Sequence, residues 1–455
     1  MITNTKYFES VKKLFYKYLI YYFVVFLRHE WIWKPRRQLE KSQRDDPMRL
    51  EQLQLSKLNR ILSLAQTSPY YKAKLENSSL SSLGELGSLP FLEKDDLRLH
   101  AKELETHLKP KKFTLKTSVG STGAPVTVKK PAKAMGQELA ATWRGYSWAG
   151  IDIGDLQARF WGVPLTKEMQ RRARWIDLVT RRIRFSAFKF NSSDLDRYLD
   201  KLERKQPTYF YGYTSMIYEL ALHVIKRNYI GRVRPLAIVT TSEVLTSSIR
   251  DTIEQAFQCK VFNEYGCGEV GTIAHECEHG HMHINMENVL VEIVNEQGGV
   301  LTEGKTGEIV VTDLNNTYMP LIRYRLRDFG SIHHIDCPCG RTLAVLKDVK
   351  GRAYDFIENE LGQKFHGEFF LYMVEELKSR GIVISGIQFV KDPQALNVRI
   401  ASDEASFNTA VSYIRNRLLE EFSKTFPVIF HQVKSIEREA SGKLRVIKNL
   451  TEGII

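Results

Sequence analysis

The first apolar residues that recur at a regular spacing predict an amphipathic helix. They recur at helical spacing, as on one face of a helix: Leu50, Leu53, Leu58, Ile61, Leu62 and Ala65. Ser68-Pro69 ends this helix, because a residue before proline disfavours helical backbone. The segment before it, Met1–Arg44, predicts a helical extension rich in aromatic and basic side chains. After it, Leu83–Pro90 predicts a loop and Glu93–Lys102 a short polar helix.

In the middle of the chain, short apolar runs alternate with helical segments. Helices are predicted over Pro131–Gly150, from a cap at Ser192 or Ser193 to Lys205, and from Thr246 or Ser247 to about Gln258. Strands are predicted over Pro235–Thr241 and Lys260–Tyr265, and the run Pro207–Thr214 is short and aromatic. This alternation predicts an α/β fold that binds ligands at the ends of its strands.

The pattern becomes richer in strands after Asn288. Strands are predicted over Asn288–Val294, Glu308–Asp313 and Leu321–Arg325, in a β-rich unit. A small α+β unit follows, with helices His366–Ser379 and Glu404–Phe422 and strands Ile382–Val390, Leu396–Ser402 and Val428–Ile436. We therefore expect three parts: a helical extension (1–44), a large N-terminal domain (45–352) and a mobile C-terminal domain (356–455).

The composition and the distribution of charge indicate which class of protein this is. The chain of 455 residues is 43% hydrophobic and 26% charged, as in soluble globular proteins. Its net charge of +13 is concentrated in two stretches: Met1–Arg44 has ten Lys/Arg against three Asp/Glu, and Arg171–Phe185 has six Arg against one Asp. The nearly neutral remainder argues against a nucleic-acid-binding protein. Five cysteines are a poor disulfide framework, so a reducing compartment is expected.

The run Tyr18–Leu27 raises the question of membrane contact. Its ten residues are about half of a membrane span. Arg28-His29-Glu30-Trp31 follows it in place of a cleavage site, so we expect a cytoplasmic protein. Two interpretations of the first helix stay open: it packs on the body of the protein, or it lies on an anionic membrane surface.

Residues Thr117–Val126 combine glycines and hydroxyl side chains between two β-prone runs, Phe113–Lys116 and Val126–Lys130. Such a loop can turn several N–H groups toward one phosphate. A hairpin turn without a ligand is the alternative. The candidate phosphate-binding residues are Ser118, Gly120, Ser121, Thr122 and Gly123.

Five further motifs follow in order. They are Thr240-Thr241-Ser242-Glu243, Asn263-Glu264-Tyr265-Gly266-Cys267-Gly268-Glu269, Tyr324-Arg325-Leu326-Arg327-Asp328, Gly351-Arg352-Ala353-Tyr354-Asp355 and Ser441-Gly442-Lys443-Leu444-Arg445. With the glycine loop, this set resembles the adenylate-forming superfamily of acyl-CoA synthetases. It is most similar to the phenylacetate-CoA ligase branch, which includes CapK-like proteins linked to capsular polysaccharide synthesis. The resemblance runs from about Ser68 to Arg445.

The resemblance implies a role for each motif. Glu269 would bind Mg²⁺, Asp328 the ribose hydroxyls, and Lys443 would be the mobile catalytic lysine. Asp355 would be the hinge of the C-terminal domain. The other expected nucleotide-binding residues are Ser242, Glu243, Glu264, Tyr265, Gly266 and Arg352. The alternatives are a solvated Glu269 and an Asp328 that is paired with a nearby arginine.

The resemblance also implies an activity, an ATP- and Mg²⁺-dependent ligase that joins a small carboxylic acid to CoA or another thiol. Tyr211 and Tyr213 are expected in the acid pocket, although an aromatic cluster is as often core. Ala124 and Gly268 replace a lysine and a hydroxyl residue of the family pattern. The alternatives are an adenylating enzyme without a thioester step, and a weakened scaffold at the membrane. The oligomeric state stays open.

Cysteines and a histidine far apart in the chain predict a structural zinc site. Cys337-Pro338-Cys339 is a tight knuckle, and Cys277 lies six residues before His283. Three thiolates and one imidazole are a closed tetrahedral ligand set for Zn²⁺. Rival fourth ligands are His279, His281, His333 and His334, and the alternative is two unrelated surface elements that carry reduced cysteines.

Overall fold

The structure is a computed structural model that describes residues 2–75, 79–118, 126–162, 167–187, 189–350, 356–382, 384, 386–423, 425–436 and 446–450. The α-helices are α1 Ile2–Phe15, α2 Tyr21–Arg28, α3 Trp33–Ser42, α4 Pro47–Ala65, α5 Pro69–Lys72, α6 Lys94–Leu99, α7 Ala132–Trp148, α8 Lys167–Val179, α9 Ser192–Lys205, α10 Thr214–Lys226, α11 Ser247–Phe257, α12 Gly367–Ser379 and α13 Glu404–Glu421. A π-helical segment, Tyr16–Ile20, joins α1 to α2, and a 3₁₀ helix spans Leu83–Ser88, where the sequence predicted a loop.

The strands outnumber the helices. They are β1 Phe113–Ser118, β2 Val126–Pro131, β3 Gln157–Trp161, β4 Arg182–Ser186, β5 Lys189–Phe190, β6 Tyr209–Tyr213, β7 Ala237–Thr241, β8 Lys260–Cys267, β9 Gly271–Glu276, β10 Met282–Ile284, β11 Val289–Val294, β12 Gly307–Asp313, β13 Tyr324–His333, β14 Val345–Lys350, β15 Phe356–Glu358, β16 Lys364–His366, β17 Gly386–Lys391, β18 Leu396–Ala401, β19 Val428–Val433 and β20 Ile447–Asn449.

One sheet of eleven strands, in the order β11-β12-β13-β14-β10-β9-β8-β7-β6-β3-β4, organises the described residues. The pairs from β4 to β8 are parallel, and those from β8 to β11 are antiparallel. The predicted α/β fold is confirmed. The predicted β-rich portion forms the antiparallel half of this same sheet, because β9 turns back directly onto β8.

In helix α4, the apolar periodicity predicted one of the buried positions wrongly. Leu50, Leu58 and Ile61 are buried as predicted, but Leu53 is 36% exposed. Gln54 takes the buried position instead, and its side-chain amide donates to the Val289 carbonyl at 3.0 Å. The hydrogen bond compensates the cost of burying a polar group, which a periodicity argument does not see.

The predicted helix caps are confirmed in one case and wrong in another. Thr246 caps α11, because its side-chain oxygen accepts from the Ile249 N–H. At α9 the cap is Asn191, whose side chain accepts from the Asp194 N–H while Asp194 accepts from the Asn191 N–H. Asn191 is the cap in place of the predicted serines, because its reciprocal hydrogen bonds with Asp194 satisfy two backbone N–H groups at once.

The N-terminal helices pack on the body of the protein, one of the two interpretations that the sequence left open. Lys17 pairs with Asp152 at 2.5 Å, and the Trp143 indole N–H donates to the Tyr21 hydroxyl at 2.8 Å. Ile32 is fully buried and lies in a core cluster with α7. Among the described residues, none of the helices combines the length and the hydropathy that a membrane span needs.

The C-terminal part carries a four-stranded sheet, β19-β18-β17-β20, as a small α+β unit. Before it, the hairpin β15–β16 pairs with β5, so residues 356–366 extend a strand of the N-terminal part. The expected hinge residue Asp355 and its neighbour Arg352 lie outside the described residues. The domain boundaries stay a prediction.

Candidate functional site

The predicted β-runs around the glycine loop form an antiparallel hairpin. Strands β1 and β2 pair from Phe113↔Pro131 to Ser118↔Val126. Ser118 therefore ends β1 at the mouth of the loop. The other loop candidates, Gly120, Ser121, Thr122 and Gly123, lie outside the described residues, as does Ala124. The predicted phosphate contacts stay predictions.

An ionic cluster holds the base of this hairpin on α7. Glu138 of α7 binds Lys116 of β1 at 2.6 Å and Lys130 of β2 at 2.9 Å. Burial opposes the ionisation of Glu138, but the two ammonium groups outweigh it and lower the pKa of Glu138 to about 2. Lys130 also pairs with Asp313 at 2.9 Å and donates to the Val270 carbonyl at 2.6 Å. The hairpin is thereby fastened beside the residue that follows Glu269.

Glu269 is buried and has protein partners, so the alternative of a solvated carboxylate is wrong. Its Oε1 accepts from the Lys94 ammonium at 2.9 Å and from the Tyr324 hydroxyl at 3.0 Å. Lys94 reaches it from the start of α6, and Tyr324 from the start of β13. Two distant segments thus orient one carboxylate at the turn between β8 and β9.

Asp328 lies across from this turn and accepts a hydrogen bond from the Tyr265 hydroxyl at 3.0 Å. The neighbouring arginines bind other carboxylates: Arg323 pairs with Glu292, and Arg325 and Arg327 pair with Glu93 and Glu308. The alternative of an Asp328 held by one of these three arginines therefore loses its support. Burial, and next the Asp328 carboxylate, raise the pKa of Tyr265.

Gly266 allows β8 and β9 to approach at an irregular step. The register of this pair shifts between Tyr265 and Gly266. A Cβ on Gly266 would lie 2.4 Å from the Gly271 carbonyl oxygen, so any side chain would push the two strands apart. The glycine fixes where the turn with Glu269 begins.

Ser242 and Glu243 follow β7 at the same edge of the sheet. Ser242 has φ of +70°, a strained conformation for a residue with a side chain. Glu243 accepts from the backbone N–H of Ser215 at 2.6 Å and from its hydroxyl at 2.9 Å. This carboxylate caps the start of α10 and orders the turn that was predicted to face the nucleotide.

Glu264 and Tyr211 lie on the face of the sheet that contacts α7, and Tyr213 belongs to the neighbouring core cluster. Glu264 accepts from the Tyr211 hydroxyl at 3.1 Å and pairs with His275 at 3.2 Å. Burial raises the pKa of Glu264, but its hydrogen bonds, led by that from His275, lower it overall. These internal partners leave a nucleotide contact of the Glu264 carboxylate as a prediction.

The two tyrosines of the expected acid pocket stack on Trp161. The ring centroid of Tyr213 lies 4.2 Å and that of Tyr211 5.7 Å from Trp161. The Arg159 guanidinium covers both Trp161 and Tyr211, at 4.8 and 4.9 Å. Both tyrosines are buried, which agrees with the core alternative as well as with a pocket wall.

The four predicted zinc ligands meet in one cluster. The ligand atoms of Cys277, His283, Cys337 and Cys339 all lie within 4.8 Å of one another. The Cys277 and Cys337 sulfurs are 3.7 Å apart, and the Cys339 sulfur is 3.3 Å from His283 Nε2. A tetrahedron with Zn–S bonds of about 2.3 Å has sulfurs about 3.8 Å apart, so the donor set fits this ion.

The orientation of His283 also suits a metal ligand. Its Nδ1 lies 2.9 Å from the Leu343 carbonyl, which can only accept, so Nδ1 carries the proton and Nε2 presents a lone pair. Burial lowers the pKa of His283 to about 4, so its imidazole is neutral at pH 7. His281 lies outside the set of four, with Nδ1 3.1 Å from the Cys337 sulfur.

Sequence reasoning missed three residues of the site: Lys94, Lys130 and Glu138. Each lies outside the quoted motifs, and its role depends on contacts with residues far away in the chain. Lys443, the expected catalytic lysine, lies outside the described residues. The structure therefore brings the Glu269, Asp328 and hairpin elements together without describing Lys443.

Three comparisons show which known proteins the chain is similar to. A family profile described as "AMP-binding enzyme" matches residues 101–317. Protein CapK of Staphylococcus aureus is 26% identical over 306 residues, which cover 65% of this chain and 66% of CapK, just under two thirds of that protein.

Among solved structures, a 2-hydroxyisobutyryl-CoA ligase in complex with 2-HIB-AMP and CoA, in the thioesterification state, has a TM-score of 0.58 at 19% identity. The match covers 90% of this chain and 91% of that one. The same ligase in its postadenylation state, in complex with R3-HIB-AMP, has a TM-score of 0.56, also at 19% identity, over 89% of this chain and 90% of that one. At this identity the likeness shows a shared fold. The profile match and the similarity to CapK show that part of the chain is similar to AMP-binding enzymes.

Proposed function

We propose that the protein is an AMP-forming acid–thiol ligase, which joins a small carboxylic acid to the α-phosphate of ATP and then to a thiol such as CoA. The observation that carries this proposal is the meeting of Glu269, the Tyr265–Asp328 pair and the β1–β2 hairpin. Polar groups that converge at the ends of strands in an α/β sheet are the usual setting of a nucleotide site.

The chemistry explains why such a set of groups is needed. A carboxylate is a poor acyl donor, because its carbonyl carbon carries a charged oxygen that does not leave. Attack of the carboxylate oxygen on the α-phosphorus expels pyrophosphate and makes AMP the leaving group. The protein must bring two anions together, so positioning and charge stabilisation carry most of the catalysis. Lys443 is proposed to supply the positive charge.

Glu269 is the proposed ligand of Mg²⁺, a hard cation that binds one or two carboxylates together with substrate phosphates. Oε1 of Glu269 is oriented by Lys94 and Tyr324. The ion pair with Lys94 at Oε1 opposes a second cation there, so Mg²⁺ would have to compete with the Lys94 ammonium for this oxygen. When bound, Mg²⁺ would neutralise phosphate charge. Asp328, oriented by Tyr265, is proposed to accept from the ribose hydroxyls.

ATP–pyrophosphate exchange across a panel of carboxylic acids tests the adenylation step. We expect exchange with at least one acid, and a loss of ~100-fold in Lys443→Ala, since one well-placed charge donor is worth ~3 kcal/mol. Lys448→Ala, which changes a described β20 lysine, is the matched control. Exchange that is equal in wild type and Lys443→Ala would reject the assignment.

The acceptor needs its own measurement. CoA is proposed because the similar 2-hydroxyisobutyryl-CoA ligase is seen with CoA in its thioesterification state. With a responding acid, CoA should accelerate AMP release and yield a thioester. Exchange without CoA-dependent AMP release would favour the alternative, an adenylating enzyme without a thioester step. Absence of exchange with intact folding would favour the scaffold alternative.

We also propose that Cys277, His283, Cys337 and Cys339 hold a structural zinc ion. Elemental analysis of protein purified without a histidine tag should give about one zinc per chain. Cys337→Ser should lose the metal, whereas the control Cys259→Ser, which lies outside the cluster, should keep it. Less than a few tenths of a zinc per wild-type chain would contradict the proposal.

A further inference from the structure

A stripe of large apolar side chains on the N-terminal helices faces solvent. We define the apolar stripe as nine residues that recur every three or four positions through α1, the π segment and α2: Val11, Leu14, Phe15, Tyr18, Leu19, Tyr22, Phe23, Phe26 and Leu27. Each is between 45% and 60% exposed. An apolar surface of this extent on a globular protein marks a binding face.

The face of these helices opposite the stripe packs on the body of the protein. The stripe therefore faces solvent. Lys13 pairs with Asp155 at 2.7 Å, and Lys17 pairs with Asp152. A Cβ on Gly154 would lie 2.3 Å from the Lys13 carbonyl oxygen, so the helix backbone rests directly on the loop beneath it. The helix cannot roll over to bury the stripe without breaking these contacts.

Aromatic side chains extend the stripe at its C-terminal end. Trp31 is 43% exposed and its ring contacts Phe26 and Tyr22, at centroid distances of 5.6 and 6.1 Å. Trp33 stacks on Tyr18 at 6.2 Å. Tyr and Trp rings favour the boundary between lipid headgroups and acyl chains, because they have an apolar body and a polar edge.

The basic side chains beside the stripe are held in ion pairs. The sequence has no acidic residue between Glu9 and Glu30, a span that contains Lys12, Lys13, Lys17 and Arg28. Their carboxylate partners are Glu9, Asp155, Asp152 and Glu30, so these four basic residues add little net charge to the stripe. An anionic lipid surface would complement the apolar side chains of the stripe together with the exposed arginines of α8.

A second basic and apolar surface lies next to the first. Helix α8 exposes Arg171, Arg174, Trp175 and Leu178, which are spaced as on one helix face. Trp175 is 68% exposed. The chain after α8 contacts α1, because Arg181 pairs with Glu9 and covers the Tyr16 ring at 5.5 Å. The two basic stretches of the sequence are thus in contact with each other.

We propose that the apolar stripe is a membrane-binding surface that lies in the plane of an anionic bilayer, with α8 adding basic contacts. The α1–α2 segment would insert its apolar side chains at the level of the headgroups, while Lys13, Lys17 and Tyr21 stay on the protein. Such a surface would hold the enzyme at a membrane whether or not the proposed ligase activity is correct.

Flotation of the full-length protein with vesicles tests this. The vesicles are of phosphatidylcholine, alone or with one third phosphatidylglycerol. The wild type should float with the anionic vesicles, less with the neutral ones, and less as salt is raised. Leu19→Glu with Phe23→Glu should lower the bound fraction by roughly 10-fold or more. The control, Leu99→Glu with Leu361→Glu, changes exposed leucines elsewhere and should bind as the wild type does.

A charge variant separates the two contributions. Arg171→Gln with Arg174→Gln should weaken anionic binding by roughly fivefold per charge and leave neutral binding unchanged. Since all these side chains are exposed, far-UV circular dichroism and Tm should match the wild type. Equal recovery with neutral and anionic vesicles, or no recovery, would overturn the proposal. A dimer in sedimentation velocity that the stripe variant dissociates, without vesicle binding, would show that a second copy covers the stripe.

Discussion

Two of the polar clusters that the structure describes, the Glu269 site and the Cys/His cluster, lie at opposite ends of one strand, β9. Glu269 is two residues before the strand, and Cys277 directly follows it. Six residues of strand span roughly 20 Å, so the Cys/His cluster is too far away to touch a nucleotide at Glu269. Glu269 has protein donors already, whereas the cluster brings three sulfur atoms together. On the proposed function, one end of β9 would serve the reaction, and the other would hold the antiparallel strands together through a metal ion.

The largest expected effect is on stability, at the cluster. His283→Ala should lower the free energy of unfolding by about 3–4 kcal/mol, the linkage expected for an ion at 100 to 1,000 times its dissociation constant. His281→Ala is the matched control, since His281 lies outside the set of four. Denaturant unfolding with and without a chelator measures both. Equal losses in the two variants would mean that His283 is not the ligand.

The next effect is on activity, at the other end of the strand. Glu269→Gln should slow ATP–pyrophosphate exchange by ~100-fold, about 3 kcal/mol, and raise the Mg²⁺ requirement. Its Tm should change less than that of His283→Ala. Glu296→Gln, in an exposed turn, is the control. A Glu269→Gln variant that is less stable but exchanges at the wild-type rate would contradict a catalytic role for Glu269.

Acid should weaken the base of the hairpin. The pKa of Glu138 is about 2 in the folded protein and near 4.5 in an unfolded chain. Because the folded pKa is the lower one, its stabilisation is present above pH 4.5 and is lost as the pH falls toward 2. The contribution is on the order of 3 kcal/mol. Glu138→Gln should flatten that part of the stability–pH curve, and an unchanged curve would contradict the ionic cluster.

The smallest effect concerns the pair that orients Asp328. Tyr265→Phe removes one hydrogen bond, worth about 1 kcal/mol, so KM for ATP should rise roughly fivefold. Asp328→Asn should have a larger effect on KM if the carboxylate binds the ribose. Titration of ATP in the exchange assay measures both variants. Identical KM values in Tyr265→Phe and the wild type would mean that the hydroxyl does not position Asp328.

Local signals in the sequence predicted most of the helices, the parallel strands β7 and β8, and the β-prone runs on both sides of the glycine loop, but they did not predict β3, β4 or α8. Periodicity, β-prone runs and capping residues act over a few neighbours, so one sequence suffices to find them. They failed where two local candidates were nearly equal. Asn191 rather than Ser192 or Ser193 caps α9, and Gln54 rather than Leu53 is buried in α4. The choice depended on a partner side chain or carbonyl that the pattern does not contain.

The cysteine spacing and the motif order were also readable from the sequence, and the set of Cys277, His283, Cys337 and Cys339 is brought together as expected. Only the tertiary structure decided which groups complete each site. Lys94 reaches Glu269 across 175 positions of the chain, and Lys130 reaches Val270 across 140. It also decided that the first helix keeps its apolar stripe in solvent, because ion pairs with Asp152 and Asp155 set which face meets the body. Contacts between residues so far apart in the chain depend on the order of the strands in the sheet. Local sequence patterns do not specify that order.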